Sequence, residues 1–176
     1  MIIWINGTFG VGKTTTSQAL VADQDKLRLF DPEEVGFMLT RNLADQDIND
    51  FQDLPAWRKL VPVVTRHIQE HTGQDLVAVQ SVLDQKYWIE LKQAFQDHNE
   101  PLLHVVLDAD AQTLEDRINN DDFEVGAKQW RLEHIEKYLS ARDWMLHQAD
   151  LVIDTRELEP TAIAAMINAA AHDVSR

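Results

Sequence analysis

Apolar residues recur along this chain in short runs, at Ile2 to Ile5, Leu27 to Phe30, Leu76 to Val79, Leu102 to Leu107 and Leu151 to Ile153. An unbroken apolar run is what a strand buried on both faces requires, because successive side chains point to opposite faces and both are covered. Each run is followed by a longer segment whose apolar positions fall at helical spacing. The pattern predicts helices over about 12–23, 32–44, 55–72, 84–98, 111–120, 128–147 and 160–171. Pro32, Pro55 and Pro160 stand at or near the helix starts, where a missing N–H costs nothing. Alternation of this kind predicts an α/β fold with a five-stranded, all-parallel sheet flanked by helices. Residues 45–54 and 119–127 are polar breaks, candidate mobile segments over the sheet's active edge, and the second gives a small lid at approximately 118–130. With no internal repeat, low-complexity tract or linker, the 176 residues are expected to form a single domain spanning 1–176.

The stretch Gly7-Thr8-Phe9-Gly10-Val11-Gly12-Lys13-Thr14 fits the phosphate-binding loop pattern G-x-x-x-x-G-K-[ST], between an apolar strand and a helix. Glycines let the backbone wrap a phosphate closely, and successive N–H groups with the positive helix end point at it. Gly7, Thr8, Phe9, Gly10, Val11, Gly12, Lys13, Thr14 and Thr15 are therefore the expected nucleotide-holding residues, with Lys13 on the outer phosphates and the Thr14 hydroxyl on Mg²⁺. ATP and Mg²⁺ are the implied cofactors. The competing explanation is a glycine-rich turn joining a core strand to a surface helix. A dinucleotide-binding G-x-G-x-x-G reading fails, because Thr8 and Phe9 separate the first two glycines incorrectly.

Composition narrows the class. Absence of cysteine removes disulfides, thiolate metal sites and cysteine nucleophiles. The chain opens directly on a strand with no basic-then-apolar leader, and no apolar run approaches the roughly 20 residues that span a bilayer, so a cytoplasmic protein is expected. A formal charge of -14 repels nucleic acid at long range, while a nucleotide needs only a few converging cations. Solubility alone accounts for the acidic excess. The expected partner is a small-molecule acceptor rather than nucleic acid.

Three blocks carry a more specific likeness: Met1 to Gly10, Asp31-Pro32-Glu33-Glu34-Val35-Gly36-Phe37, and Phe51-Gln52-Asp53-Leu54-Pro55-Ala56-Trp57-Arg58. Together they resemble the tunicamycin resistance protein family, ATP-binding proteins built like small nucleotide kinases. The blocks cover roughly the first half of the chain, and the remainder is similar in pattern only. The resemblance implies a P-loop NTPase of nucleotide kinase type with strand order 2-3-1-4-5, bound ATP and Mg²⁺, and a phosphotransferase or drug-binding role. Family members carry a longer C-terminal tail associated with membranes. The shorter end here, after Met166 to Ala171, weakens that expectation for this chain.

Further candidates lie at the carboxyl ends of the strands, which line the ligand crevice of an open parallel sheet. Asp31 follows the second strand and suits a general base or an outer Mg²⁺ ligand; before Pro32 and Glu33 it is equally a helix N-cap, and both roles can hold at once. No strand is read as ending in the aspartate that many P-loop proteins use for Mg²⁺, since the third runs out as Val79-Gln80-Ser81. Asp31 is thereby left as the metal candidate beside Thr14. Gln80 and Ser81 suit substrate contact, or simply a turn. Arg117 closes the helix after the fourth strand. In small kinases, which Val105 to Arg117 resembles, an arginine here lies on the adenine ring and reaches toward phosphates; the alternative is a surface pair with Glu115 or Asp121. Lys128, Arg131, Tyr138 and Arg142 share one helical face able to bring cations over a triphosphate, or form a solvated face answered by Glu133, Glu136 and Asp143. Asp154 and Thr155 follow the last strand, where such kinases contact adenine. Arg41, Trp57 and Arg58 lie on the acceptor side, where Trp57, Phe37 and Phe51 suit either stacking on a flat group or the core. His67 and His71, one turn apart, fit a surface helix better than zinc.

The expected activity is ATP- and Mg²⁺-dependent phosphoryl transfer to a small hydroxyl-bearing acceptor, with a nucleoside-like antibiotic as a candidate. Lys13, Asp31, Arg117 and Arg131 form the expected catalytic set. The alternative is a nucleotide-gated protein that sequesters a drug or partner without transfer.

Overall fold

The computed structural model describes residues 1–22, 24–121 and 125–174. Five parallel strands, β1 (Ile2–Asn6), β2 (Leu27–Phe30), β3 (Asp75–Val79), β4 (Leu102–Asp108) and β5 (Leu151–Asp154), form one sheet in the order β2-β3-β1-β4-β5. The helices are α1 (Lys13–Val21), α2 (Pro32–Asn42), α3 (Pro55–Thr72), α4 (Gln85–Asp97), α5 (Ala111–Asn119), α6 (Lys128–Gln148) and α7 (Pro160–Val174). Fold class and strand order are as expected from the apolar runs and the family resemblance. Several helix boundaries shift by a few residues, and two of the shifts have clear local reasons. Gly12, at φ 94°, lies outside the right-handed helical region and caps α1 instead of opening it. The alanine-rich last helix continues to Val174, since His172 and Asp173 do not break it.

Alternation along the strands builds two apolar layers. Ile3, Ile5 and Val77 face a cluster completed by Leu20 of α1, Leu114 of α5, Ile135 and Met145 of α6 and Ile163 and Ile167 of α7. Ile2, Trp4, Leu76 and Ala78 face the other, completed by Val35 of α2, Trp57 and Val61 of α3, and Trp88, Leu91 and Phe95 of α4. Each fully buried side chain of this size stabilises the fold by roughly 1.5–3 kcal/mol. Registers Ile5↔Val79 and Ile5↔Val105 put β1 between β3 and β4. The loop after β1 therefore leaves the middle of the sheet's carboxyl edge, and Gln80 stands between it and Asp31.

Much of the acidic excess works locally. Asp31, Asp50, Asp84 and Asp110 each cap a helix start by accepting a backbone N–H, a role worth about 1 kcal/mol apiece. The centre of the expected lid, residues 122–124, lies outside the described residues. Its flanks are the end of α5 and a 3₁₀ turn at Val125–Ala127 that leads into α6.

Candidate active site

The loop after β1 is fixed from beneath by Asn6. Its Oδ1 accepts the amides of Gly7 and Val82, both at 2.9 Å, and its Nδ2 donates to the Val82 carbonyl at 3.1 Å. Nδ2 also lies 3.4 Å from His104 Nε2, while His104 Nδ1 lies 3.2 Å from the Gln148 carbonyl. Carbonyl oxygen cannot donate, so Nδ1 carries the hydrogen and Nε2 accepts. Burial pushes the His104 pKa down to about 4, which keeps the ring neutral.

Above this base the backbone shape is that of an anion cradle. A Cβ on Gly7 would sit 2.7 Å from the Leu107 carbonyl oxygen, so only glycine lets the loop pass so close to β4. At Gly12 no side chain caps α1, and the first N–H groups of that helix have no intrahelical acceptor. Uncapped amides at a positive helix end fit a phosphate. Lys13 Nζ donates to its own loop at Thr8 O, 2.8 Å away, and lies 5.4 Å from the Phe9 ring. Dehydration pulls the Lys13 pKa from 10.5 to about 7; Glu33 acts to raise it and Arg131 to lower it further. Thr14 and Thr15 are exposed, with Thr15 Oγ1 donating to Gly12 O at 3.0 Å.

Beside the loop is a cavity of about 450 Å³ lined by Gly10, Gly12, Thr16, Arg117, Thr155 and Ile163, among others. Arg117 spans it: Nη1 lies 3.0 Å from Thr155 Oγ1 and 3.4 Å from Gly10 O, and Nη2 donates to Thr155 O at 2.7 Å. In place of the alternative surface pair with Glu115 or Asp121, Arg117 forms a bridge between the phosphate loop and the residue after β5. Thr16 Oγ1 is buried there without a hydrogen-bond partner. Asp154 does not line this cavity. Its carboxylate accepts from Arg156 at 2.6 Å, which holds its pKa low, and it borders a separate hollow of about 340 Å³.

The helical face of α6 does not act as a unit. Arg131 is buried, with Nη2 2.8 Å from Asp121 and Nε unpartnered, and its charge is felt by Lys13. Lys128 Nζ donates to Asn119 O at 2.9 Å. Tyr138 and Arg142 instead meet Asp108, the last residue of β4: the Tyr138 hydroxyl donates to it, and Arg142 grips both oxygens at 2.9 and 2.6 Å. Burial first, then Asp108, pushes the Tyr138 pKa up. The third strand ends at Val79 ahead of Gln80, as read from the sequence. The aspartates that end β4 and β5 are each engaged by an arginine, Asp108 by the bidentate Arg142 and Asp154 by Arg156. A further feature went unread: Trp130 of α6 packs edge-on to Phe9 with centroids 4.8 Å apart, seating α6 on the phosphate loop.

On the other side, Asp31 is exposed and its Oδ1 accepts the Glu33 amide at 2.9 Å, so the capping role is present. Glu33 is half-buried, and its charge acts to raise the Lys13 pKa. It was quoted in the sequence only as part of a family block. Two substrate candidates are buried, and for Trp57 this is the core alternative. Trp57 is fully enclosed, its indole N–H donating to Pro32 O at 2.9 Å, so it offers no face to a ligand. Arg58 is 5% exposed and committed: Nε donates to Glu90 at 2.6 Å, Nη1 donates to Gln52 O, and the guanidinium lies over the Tyr87 ring at 4.1 Å. Arg41 is exposed and bonds its own helix at Phe37 O, 3.1 Å away. Gln80 is buried with an unpartnered Oε1, and the Ser81 carbonyl accepts from Gln52 at 3.0 Å. Among the described residues no three His, Asp or Glu side chains gather for a metal. Mg²⁺ needs only one or two protein oxygens plus phosphates and waters, a requirement Thr14 and Asp31 can meet in kind.

A family model described as an AAA domain matches residues 2–145. The chain belongs to that family. The likeness to tunicamycin resistance proteins is also borne out: the tunicamycin resistance protein of Deinococcus radiodurans superposes with a TM-score of 0.74 at 28% identity, over 97% of this chain and 94% of that one. A gluconokinase from Sinorhizobium meliloti matches with a TM-score of 0.58 at 16% identity, over 98% and 91% of the two chains. Shikimate kinase from Acinetobacter baumannii, in complex with shikimate, matches at 0.56 and 16%, over 98% and 93%. At such identities the two kinases establish the shared P-loop kinase-like fold. No curated protein matches the sequence. No helix among the described residues is long and apolar enough to cross a membrane.

Proposed function

We infer that this protein is an ATP- and Mg²⁺-dependent phosphotransferase acting on a small hydroxyl-bearing acceptor, with a nucleoside-like antibiotic among the candidates. The observation that carries the reading is the convergence of Lys13, Arg131 and Arg117 on one uncapped loop, in a fold shared with small-molecule kinases. When bound, ATP supplies the phosphoryl group and Mg²⁺ offsets its charge. The amides at Gly12 to Thr14 hold the phosphates, and Thr14 Oγ1 is the metal's protein oxygen. Lys13 exchanges Thr8 O for phosphate oxygen, a stronger, charge-assisted partner. Arg117 orients the base against the end of β5, and Arg131 neutralises charge from α6. Asp31 has one carboxylate oxygen on the Glu33 amide, leaving the other to receive the acceptor's proton.

A second reading, in which the protein sequesters a ligand without transfer, is favoured by that same cap, which gives Asp31 a structural duty independent of chemistry. Asp31→Asn separates the two, since asparagine keeps much of the capping ability and loses basicity. Single-turnover transfer by the variant is expected to fall at least on the order of a hundredfold with ATP binding retained. Unchanged transfer would remove Asp31 as the base.

A further inference from the structure

We propose that the acceptor is an uncharged or cationic hydroxyl compound, and that this protein's acceptor face turns away carboxylated and phosphorylated ones. The word acceptor rests on the phosphotransferase reading; the charge selectivity rests on what α2, α3 and the turn after β3 present to the loop.

Three carboxylates gather at the start of α2, directly after the carboxyl end of β2. Asp31 and Glu34 are exposed there, and the charge of half-buried Glu33 acts to raise the Lys13 pKa. The cations on this side are elsewhere engaged or distant. Arg58 is enclosed with Glu90, the Gln52 carbonyl and the Tyr87 ring. Arg41 lies about 15 Å further along α2 from Asp31 and is bonded to Phe37 O. Lys59 is on the exposed side of α3, and Lys86 is 78% exposed beside Glu90. Lys13 itself serves the phosphates. A carboxylate or phosphate entering here would meet like charge, and among the described residues of α2, α3 and α4 no arginine or lysine is placed to answer it, whereas carboxylate recognition ordinarily uses a forked arginine.

Gln80 supplies an independent pointer to the ligand's chemistry. It is 6% exposed, and its Oε1 has no partner. Continuing the alternation of Leu76 and Ala78 places Gln80 on the face covered by α2, α3 and α4, one strand from Asp31 and one from the phosphate loop. A carboxamide oxygen can only accept, so its missing partner is an O–H or N–H donor. Hydroxyl and ammonium groups provide that; carboxylate and phosphate dianion do not. Phe37, 43% exposed, adds an apolar surface for an uncharged part of the same molecule.

The test is equilibrium binding to the full chain loaded with Mg²⁺ and a non-hydrolysable ATP analogue, using matched probes: glucose against gluconate, uridine against uridine monophosphate, and glucosamine. The uncharged or amino member of each pair is expected to bind at least about tenfold more tightly than the anionic one. Glu33→Gln with Glu34→Gln should narrow that gap severalfold, and Gln80→Leu should weaken the uncharged probes roughly tenfold. Thermal melting of each variant guards against misfolding. Anionic probes that bind as well as their partners, an unchanged gap in the carboxylate variants, or binding by no uncharged or cationic probe each overturn the proposal. Binding is read without turnover, so the two readings fail separately. Selectivity with no phosphoryl transfer retires the phosphotransferase reading alone, and transfer to gluconate retires this inference alone.

Discussion

The two sides of the sheet's carboxyl edge hold their polar groups in opposite ways. On the phosphate side the loop amides are uncapped, Lys13 rests on its own loop, and Arg131 Nε has no partner, so donors stand ready for an anion. On the acceptor side the large cation is already neutralised: Arg58 is closed in by Glu90, Gln52 and Tyr87, and Trp57 is sealed against Pro32. The phosphate region is left electrostatically unsatisfied, whereas on the acceptor side the Arg58 and Trp57 contacts are complete and Gln80 Oε1 is left without a partner. Dissatisfaction of this kind marks where a ligand finishes the structure, while completeness marks scaffold.

Substitutions in the two regions should have opposite phenotypes. Trp57→Ala should lower stability by about 3–5 kcal/mol, read from denaturant unfolding, because it empties a fully buried site. Lys13→Ala should leave the melting temperature near wild type and weaken ATP binding by roughly a hundredfold in calorimetric titration. Were Lys13→Ala to unfold the protein and Trp57→Ala to leave it stable, the assignment of the two regions would be reversed.

Below the loop, His104 sharpens the same contrast through pH. Its folded pKa of about 4 lies beneath the ordinary 6.5, so the neutral ring's contribution is fully present above pH 6.5 and is lost as pH falls toward 4. That contribution is on the order of 3 kcal/mol, and unfolding curves of His104→Gln should lack this part of the acid slope. Arg117→Ala should cost about tenfold in ATP affinity, and Arg156→Ala less, because Arg156 is engaged with Asp154 and Asp110 outside the loop. Equal losses would return Arg117 to a scaffold role. The smallest effect is a fraction of a proton. Free Lys13 titrates near 7, phosphate raises that value, and binding should therefore take up a proton at pH 8 but none near pH 5. Calorimetry in buffers of different ionisation heat measures it, and Lys13→Ala should abolish it.

The sheet and the phosphate loop were legible in the sequence because both are local: a strand buried on two faces reads as an apolar run, and the cradle needs glycines and a lysine at fixed spacing. Strand order came from the family likeness, since pairing is a long-range choice. On the acceptor side the sequence left alternatives open that burial bears on. Trp57 and Arg58 look like ligand groups until α2 and α4 are packed over them. Asp108 shows the same limit: whether an aspartate ending a strand serves a metal or a guanidinium depends on Tyr138 and Arg142, some thirty residues away. Gln80 was legible as a substrate candidate from its place after the third strand, whereas Glu33 entered only with its neighbours and its electrostatic effect on Lys13 needed the fold.

In the proposed reaction the γ-phosphoryl group held by the loop leaves on an acceptor hydroxyl. ATP labelled in its γ-phosphoryl group, incubated with the protein, Mg²⁺ and the neutral and amino probes, measures this directly. The account predicts label on an acceptor hydroxyl in step with ADP formation, absent in Lys13→Ala; tight ATP and acceptor binding with all label remaining on ATP or released as inorganic phosphate would contradict it.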